Sequence, residues 1–241
     1  MKKYFIVLII LCGSILALWI AGRVTGALQF YNIPTIANEP TIKAGDKIFA
    51  TNLKELHPYQ FIVFASNYAD SLNTLYMNES KPASNYLFRL CGISGDIIEM
   101  KNGILFVNNK NFDNQLDLKN QFKVVQKDFY VIEQEDIYDN DTNDQIIRTG
   151  DSFIVTFDNL LLKKYQSKIT LTPYIINDTS NLSGCFKWFD KHSTWTTDNF
   201  GPLKIPSNGY FVLGDNRHNA MDSRYFGFVI KDDIKGVMLG K

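Results

Sequence analysis

Between Lys3 and Arg23 the chain carries no charged side chain, and most of that stretch is Ile, Leu, Val, Phe, Ala and Trp. A helix of about 20 apolar residues is what crosses about 30 Å of hydrocarbon, so residues 4–22 are expected to form a transmembrane anchor. Two other readings compete. A removable signal peptide has a shorter apolar core and a small-x-small cleavage site, and no convincing site closely follows here. Cys12 suggests lipoprotein processing, but bulky Leu11 precedes it, where that processing takes a small residue. Lys2 and Lys3 against a lone Arg23 favour an inside N-terminus. Residues 1–3 then form a cytoplasmic tip, and everything beyond the anchor is exported. No second run is long enough to span; residues 61–65 are apolar but short.

An exported remainder of this length must bury a core. The 18 Phe, 12 Tyr and 3 Trp suit β structure. Residues 47–51, 61–65, 96–100, 104–107, 152–157, 168–172, 209–214 and 226–230 read as strands. Residues 123–132 alternate in part, and 160–166 read as a short helix. Asn102-Gly103 is a hairpin signal, because both residues tolerate the positive φ of a type I′ turn. The Asp-, Glu- and Asn-rich stretch 133–144 reads as an exposed loop. Many short strands with few helices predict a mainly β, antiparallel architecture.

Composition excludes some functions. Formal net charge is zero, without the basic excess a general nucleic-acid binder needs, so no nucleic-acid partner is expected. The spacing of Cys12, Cys91 and Cys185 matches no zinc or redox motif, and His57, His192 and His218 are scattered. No metal and no cofactor are expected. Cys91 and Cys185 either pair in an oxidising compartment or remain buried thiols.

Three separated segments resemble the type I signal peptidases, membrane-bound serine proteases that use a Ser–Lys pair. The most specific runs Gly214-Asp215-Asn216-Arg217, then Asp222-Ser223-Arg224-Tyr225-Phe226-Gly227. The middle segment, Phe88-Arg89-Leu90-Cys91-Gly92-Ile93-Ser94-Gly95-Asp96, is similar to the family's lysine box. The first, Pro34-Thr35-Ile36-Ala37-Asn38-Glu39-Pro40-Thr41, is similar to its nucleophile box. The resemblance implies a signal-peptidase-like antiparallel β core from residues 28–110 and 204–241. Residues 111–203, the least patterned stretch, read as a β-rich insertion into a core made from the chain's two ends, and the N-terminal helix is the anchor. It also implies a single-pass protein of the bacterial plasma membrane, with its C-terminal domain on the exported side.

The departures bear on activity. The family's nucleophilic serine corresponds to Ala37, its general-base lysine to Phe88, and the serine that hydrogen-bonds the lysine to Ala220. Asn38 stands for the usual Met, and Ser94 for a Pro. No functional catalytic residue is expected. Thr35 matches an oxyanion-hole position. Arg89, Asp215, Asn216, Arg217, Asp222, Ser223 and Arg224 are expected to brace the site. The leading expectation is a non-catalytic membrane protein that binds signal peptides of exported precursors or partners an active signal peptidase. One alternative is an active signal peptidase with a noncanonical site drawn from Lys81, Ser84, Ser94 or Ser223. Another is a structural or assembly protein whose groove is plugged by Phe88.

Overall fold

The computed structural model describes residues 2–77, 84–134, 146–177 and 194–240. Cys185, His192, Lys81 and most of the expected 133–144 loop lie outside them. Helix α1 (Lys2–Thr25) takes in the whole uncharged stretch, because a helix satisfies its own backbone groups where no water can. Its 24 residues reach about 36 Å. None of it is buried against the rest of the chain. Its length and composition suit a membrane span, and a signal sequence has the same attributes. The end of α1 is tied down: Asn52 Nδ2 donates to the Thr25 carbonyl at 2.8 Å, and the Asn52 N–H to that of Gly26 at 3.1 Å.

Strands and short helices follow: β1 (Gln29–Asn32), β2 (Lys47–Thr51), β3 (Phe61–Ala65), α2 (Asn67–Met77), β4 (Asn85–Gly92), β5 (Ile97–Lys101), β6 (Ile104–Val107) and β7 (Lys110–Asn111). Next come β8 (Asn120–Val125), α3 (Gln126–Gln134), β9 (Ile147–Thr149), β10 (Ser152–Phe157), α4 (Asn159–Tyr165) and β11 (Thr172–Pro173). The chain closes with β12 (Phe200–Lys204), β13 (Gly209–Leu213), α5 (Ser223–Phe226), β14 (Val229–Ile230) and β15 (Ile234–Gly240).

Among the described residues these strands form three antiparallel sheets. The largest has the order β1-β2-β15-β3-β4-β13-β14, so the early and late parts of the chain interleave in one sheet. A second sheet, β12-β5-β6-β7, and a third, β11-β8-β10-β9, carry the middle of the chain. Strand β12 begins at Phe200, inside the stretch expected as insertion, yet pairs with β5. Strand β3 is buried along nearly its whole length, as befits a strand with a neighbour on each side. The hairpin between β5 and β6 turns at Asn102 and Gly103, with φ of 49° and 77°.

The local departures have physical causes. Residues 123–132 continue as a strand only to Val125. Phe129 and Ile132 then face inward at helical spacing, and Phe129 stacks on Phe153 with centroids 4.0 Å apart. Residues 168–172 are not a strand along their length. The N–H groups of Lys168 and Ile169 both donate to the Tyr165 carbonyl, so the chain turns off α4, and only Thr172–Pro173 pairs. Within 226–230 only Val229–Ile230 is extended, because the Asp222 carboxylate accepts the Arg224 N–H and caps α5 over Ser223–Phe226. Helix α2 carried no expectation; Ser66 Oγ caps it by accepting the Ala69 N–H at 3.2 Å, and Ala69 and Leu72 bury one face. Cys91 is a free, buried thiol.

Candidate functional site

The site is built where the loop before β2, strand β4 and the turn after β13 meet. The loop leaves β1, and its Ile33 N–H donates to the Asp46 carbonyl at 2.9 Å. It turns at 36–41, where the Glu39 N–H donates to the Ile36 carbonyl and the Ile42 N–H to that of Asn38. Ile42 is fully buried and pins it. Asn216 clamps the loop from the other side: its N–H donates to the Ala37 carbonyl at 3.1 Å, and its Nδ2 to that of Ile36 at 3.3 Å.

Ala37, Phe88 and Ala220 come together. All three are buried and belong to one apolar cluster with Ile62, Phe64, Leu90 and Val212. They converge on Gly214. A Cβ placed there would collide with the Ala220 methyl, lie 2.5 Å from the Ala37 carbonyl oxygen and 3.3 Å from Phe88 Cε1. Only a glycine permits so close an approach. The Phe88 ring turns into an aromatic group, with centroids 6.2 Å from Phe64 and 6.3 Å from Phe226. None of these three side chains carries a hydroxyl or an amine.

Buried charge pairs hold the surrounding backbone. Arg89 forks onto Asp215, with Nε to Oδ1 at 2.7 Å and Nη2 to Oδ2 at 2.6 Å, and Thr41 Oγ1 donates to the same Oδ2. Arg217 forks onto Asp113 at 2.6 and 2.7 Å. Arg224 forks onto Asp222 at 2.9 Å on both arms and also donates to the Arg217 carbonyl. The Gly214 N–H donates to Asp222 Oδ2, and the Val212 N–H to Ser223 Oγ. These bonds press the turn that carries Ala220 onto β13. Burial alone would lower the Arg217 and Arg224 pKa values, but the Asp113 and Asp222 carboxylates outweigh it and hold both above the ordinary arginine value.

A second charged cluster lies behind the turn. Asp198 is buried and accepts the Ile176 N–H at 2.7 Å. His218 Nε2 lies 3.4 Å and Arg224 Nη1 3.7 Å from its carboxylate. Burial pushes the Asp198 carboxyl up. His218, Arg224 and the Ile176 N–H outweigh it and hold it below the usual carboxylate range.

Beside the convergence lies an open groove of about 370 Å³. Its walls are the segment from Tyr31 through Thr35 on one side and Ser84 through Phe88 on the other. Strand β4 pairs with β3 along residues 85–89, but β13 reaches only Arg89, Leu90 and Gly92. Residues 85–88 therefore present an edge to the groove that β13 leaves unpaired. Asn38, only 2% exposed, donates through Nδ2 to the Leu87 carbonyl at 2.7 Å, and its Oδ1 has no hydrogen-bond partner.

Thr35 and Ser84 put hydroxyls in the groove wall, yet among the described residues that line it there is no Lys, His, Asp or Glu. Ser94 is exposed in the turn before β5, away from the groove lining. Ser223 Oγ faces the Val212 N–H in the core. Among the described residues no group of three His, Cys, Asp or Glu side chains is placed to hold a metal. Sequence reasoning missed Asp113, Asp198 and the Asn38 bridge; Asp113 and Asp198 lie outside the boxes, and only folding brings them to Arg217 and Arg224.

A family model described as signal peptidase, peptidase S26, matches residues 2–239. Signal peptidase I P of Bacillus subtilis subsp. natto is 27% identical over 222 residues, covering 91% of this chain and 84% of that protein. Signal peptidase I of Buchnera aphidicola subsp. Baizongia pistaciae is 29% identical over 220 residues, covering 86% of this chain and 66% of that protein. The crystal structure of a signal peptidase I from Enterococcus faecalis is 20% identical, with a TM-score of 0.32, covering 77% of this chain and 98% of that one.

Proposed function

The chain belongs to the signal peptidase family, peptidase S26, and we propose that this member keeps a peptide groove without the chemistry of cleavage. The observation that carries the reading is the convergence of Ala37, Phe88 and Ala220 on Gly214. Peptide hydrolysis by a Ser–Lys pair needs a hydroxyl to attack the carbonyl. It needs a neutral amine to take the proton, and donors for the oxyanion. Ala37 has no hydroxyl, Phe88 no basic atom, and Ala220 no oxygen to orient an amine. Loss of one member of such a unit costs on the order of a millionfold in rate.

The same substitutions fit an apolar packing, with Ala37, Phe88 and Ala220 in one buried cluster and no charged side chain at any of the three positions. Thr35, at the oxyanion-like position, is left as groove wall. Arg89, Asp215, Asn216, Arg217, Asp222, Ser223 and Arg224 brace the backbone around a centre that no longer reacts.

The open groove favours peptide binding over a plugged scaffold, because the Phe88 ring points into the Phe64–Phe226 group and leaves about 370 Å³ free beside it. An extended segment fits by adding to the edge of β4 that β13 leaves unpaired, where backbone hydrogen bonds supply affinity once Asn38 gives up the Leu87 carbonyl. The ligand class is the signal-peptide segment of exported precursors. Helix α1 acts as a single-pass anchor in the bacterial plasma membrane, with residues 1–3 inside and the remainder exported. Residues 28–110 and 204–241 form most of the core, which β12 extends back to Phe200, and the rest of 111–203 the insertion.

The test incubates the full-length chain, in lipid nanodiscs, with a precursor carrying a small-x-small motif. Capture of intact precursor is expected. Cleavage at a defined site contradicts the loss of chemistry, and absence of capture contradicts the groove.

A further inference from the structure

A second cavity, of about 430 Å³, opens between the loop after β2 and the start of β15. Lys54, Lys231 and Lys235 line it with Asn52, Tyr210 and one acid, Glu55. All three lysines are exposed. Three cations against one anion make a concave, positive site, which favours an anion.

The cavity sits at the foot of the anchor. Asn52, on its rim, holds the Thr25 and Gly26 carbonyls where α1 ends. Lys235, on the neighbouring strand, accepts Gln29 Nε2 at its carbonyl at 3.1 Å. Thr51 Oγ1 donates to the Ala27 carbonyl at 2.7 Å. With α1 in a bilayer, these bonds hold the cavity within a few residues of the hydrocarbon boundary, at headgroup depth. Leu53, between Asn52 and Lys54, is 77% exposed, as a side chain that dips into lipid is. Trp19 and Arg23 stack one turn apart near the end of the helix, with the guanidinium 5.7 Å from the ring, and such residues gather at membrane interfaces.

We propose that Lys54, Lys231 and Lys235 form a binding site for the phosphate of an anionic phospholipid headgroup, which sets the height and tilt of the domain on the membrane. The inference rests on α1 being a membrane anchor. It is independent of whether the groove binds peptides, so the two readings fail separately. A lysine is a point charge with three rotatable donors, suited to a phosphodiester whose two free oxygens accept from several sides. The chemistry recognised is phosphate; a lipid and a free phosphate differ in whether acyl chains continue into the bilayer beside α1 and Leu53.

The experiment uses the full-length chain in neutral detergent and measures retention of added lipid by native mass spectrometry. The probes are phosphatidylglycerol, phosphatidylcholine and glycerophosphoglycerol, the headgroup without chains. Retention of phosphatidylglycerol about tenfold above phosphatidylcholine is expected, with that preference lost in a Lys54→Gln, Lys231→Gln, Lys235→Gln variant. These side chains are exposed, so the variant is expected to fold; far-ultraviolet circular dichroism checks it. A single Lys231→Gln variant, expected to lose part of the preference, serves if the triple one does not fold. Equal retention of the two lipids, or a preference that survives the substitutions, overturns the site. Glycerophosphoglycerol binding as tightly as the lipid overturns the lipid as its ligand.

Discussion

Arg89, Arg217 and Arg224 each fork onto a buried carboxylate. Arg89 and Asp215 join β4 to the end of β13, so this pair ties together the two strands that carry Phe88 and lead into Gly214. Removing one partner strands the other charge in the core. Arg89→Met is expected to destabilise the chain by about 3–5 kcal/mol, and Arg89→Met with Asp215→Leu by much less. Denaturant unfolding of the full-length chain in micelles checks both. Equal losses would mean that Arg89 acts through its packing over the Phe61 ring, 4.2 Å from the guanidinium. At this scale Arg89, Asp215, Asp222 and Arg224 were legible, because each lies in a box of distinctive composition. Asp113 was not: an aspartate in an unpatterned stretch carries no sign of the distant arginine it will meet.

Among the elements, β4 matters most. Its second half pairs with β13 at Arg89, Leu90 and Gly92, and Leu90 also exchanges backbone bonds with Gln60 and Tyr59, whereas residues 85–88 pair with β3 alone. Hydrogen exchange is expected to be slow at Leu90 and Cys91 and faster at Asn85 and Leu87. A bound small-x-small peptide is expected to slow Asn85 and Leu87 selectively. Uniform slowing across β4, or none, would place the peptide elsewhere. The strand was expected only around residues 86–90, through the family resemblance. What carries it to Asn85 is pairing with the all-apolar β3, a long-range effect that a local reading misses. The same limit explains 123–132, where alternation read as strand gives way to a helix because Phe129 and Ile132 reach the core at helical spacing. The Asn102-Gly103 hairpin was readable because its signal is local: two residues whose own backbone preferences make the turn.

For the molecule as a whole, Asp198 links distant parts of the chain. Its carboxylate takes the Ile176 N–H and faces His218 and Arg224, while its carbonyl takes the Gly103 N–H. Its pKa is lowered on folding, so its contribution to stability is present above the unfolded carboxylate value, about 3.9. That contribution is lost as pH falls below it toward the folded value. Thermal stability is therefore expected to drop below about pH 4, and Asp198→Asn to blunt that drop while lowering stability at pH 7. A pH profile unchanged by the substitution would remove Asp198 from this role. The architecture was legible as mainly β with one N-terminal apolar helix, since both follow from composition and from one uninterrupted run. A core made from the chain's two ends was expected from the unpatterned middle of the chain, but not that the ends interleave in a single sheet; no local pattern encodes which strands pair across 150 or more residues.

We propose a protein whose groove remains while its chemistry has gone. The direct measurement compares cleavage of a small-x-small precursor by the natural full-length chain and by an Ala37→Ser, Phe88→Lys, Ala220→Ser variant, both in lipid. Intact precursor is expected with the natural chain, and cleavage after the small-x-small motif with the variant. Specific cleavage by the natural chain, at a rate the variant does not exceed, would contradict the proposal.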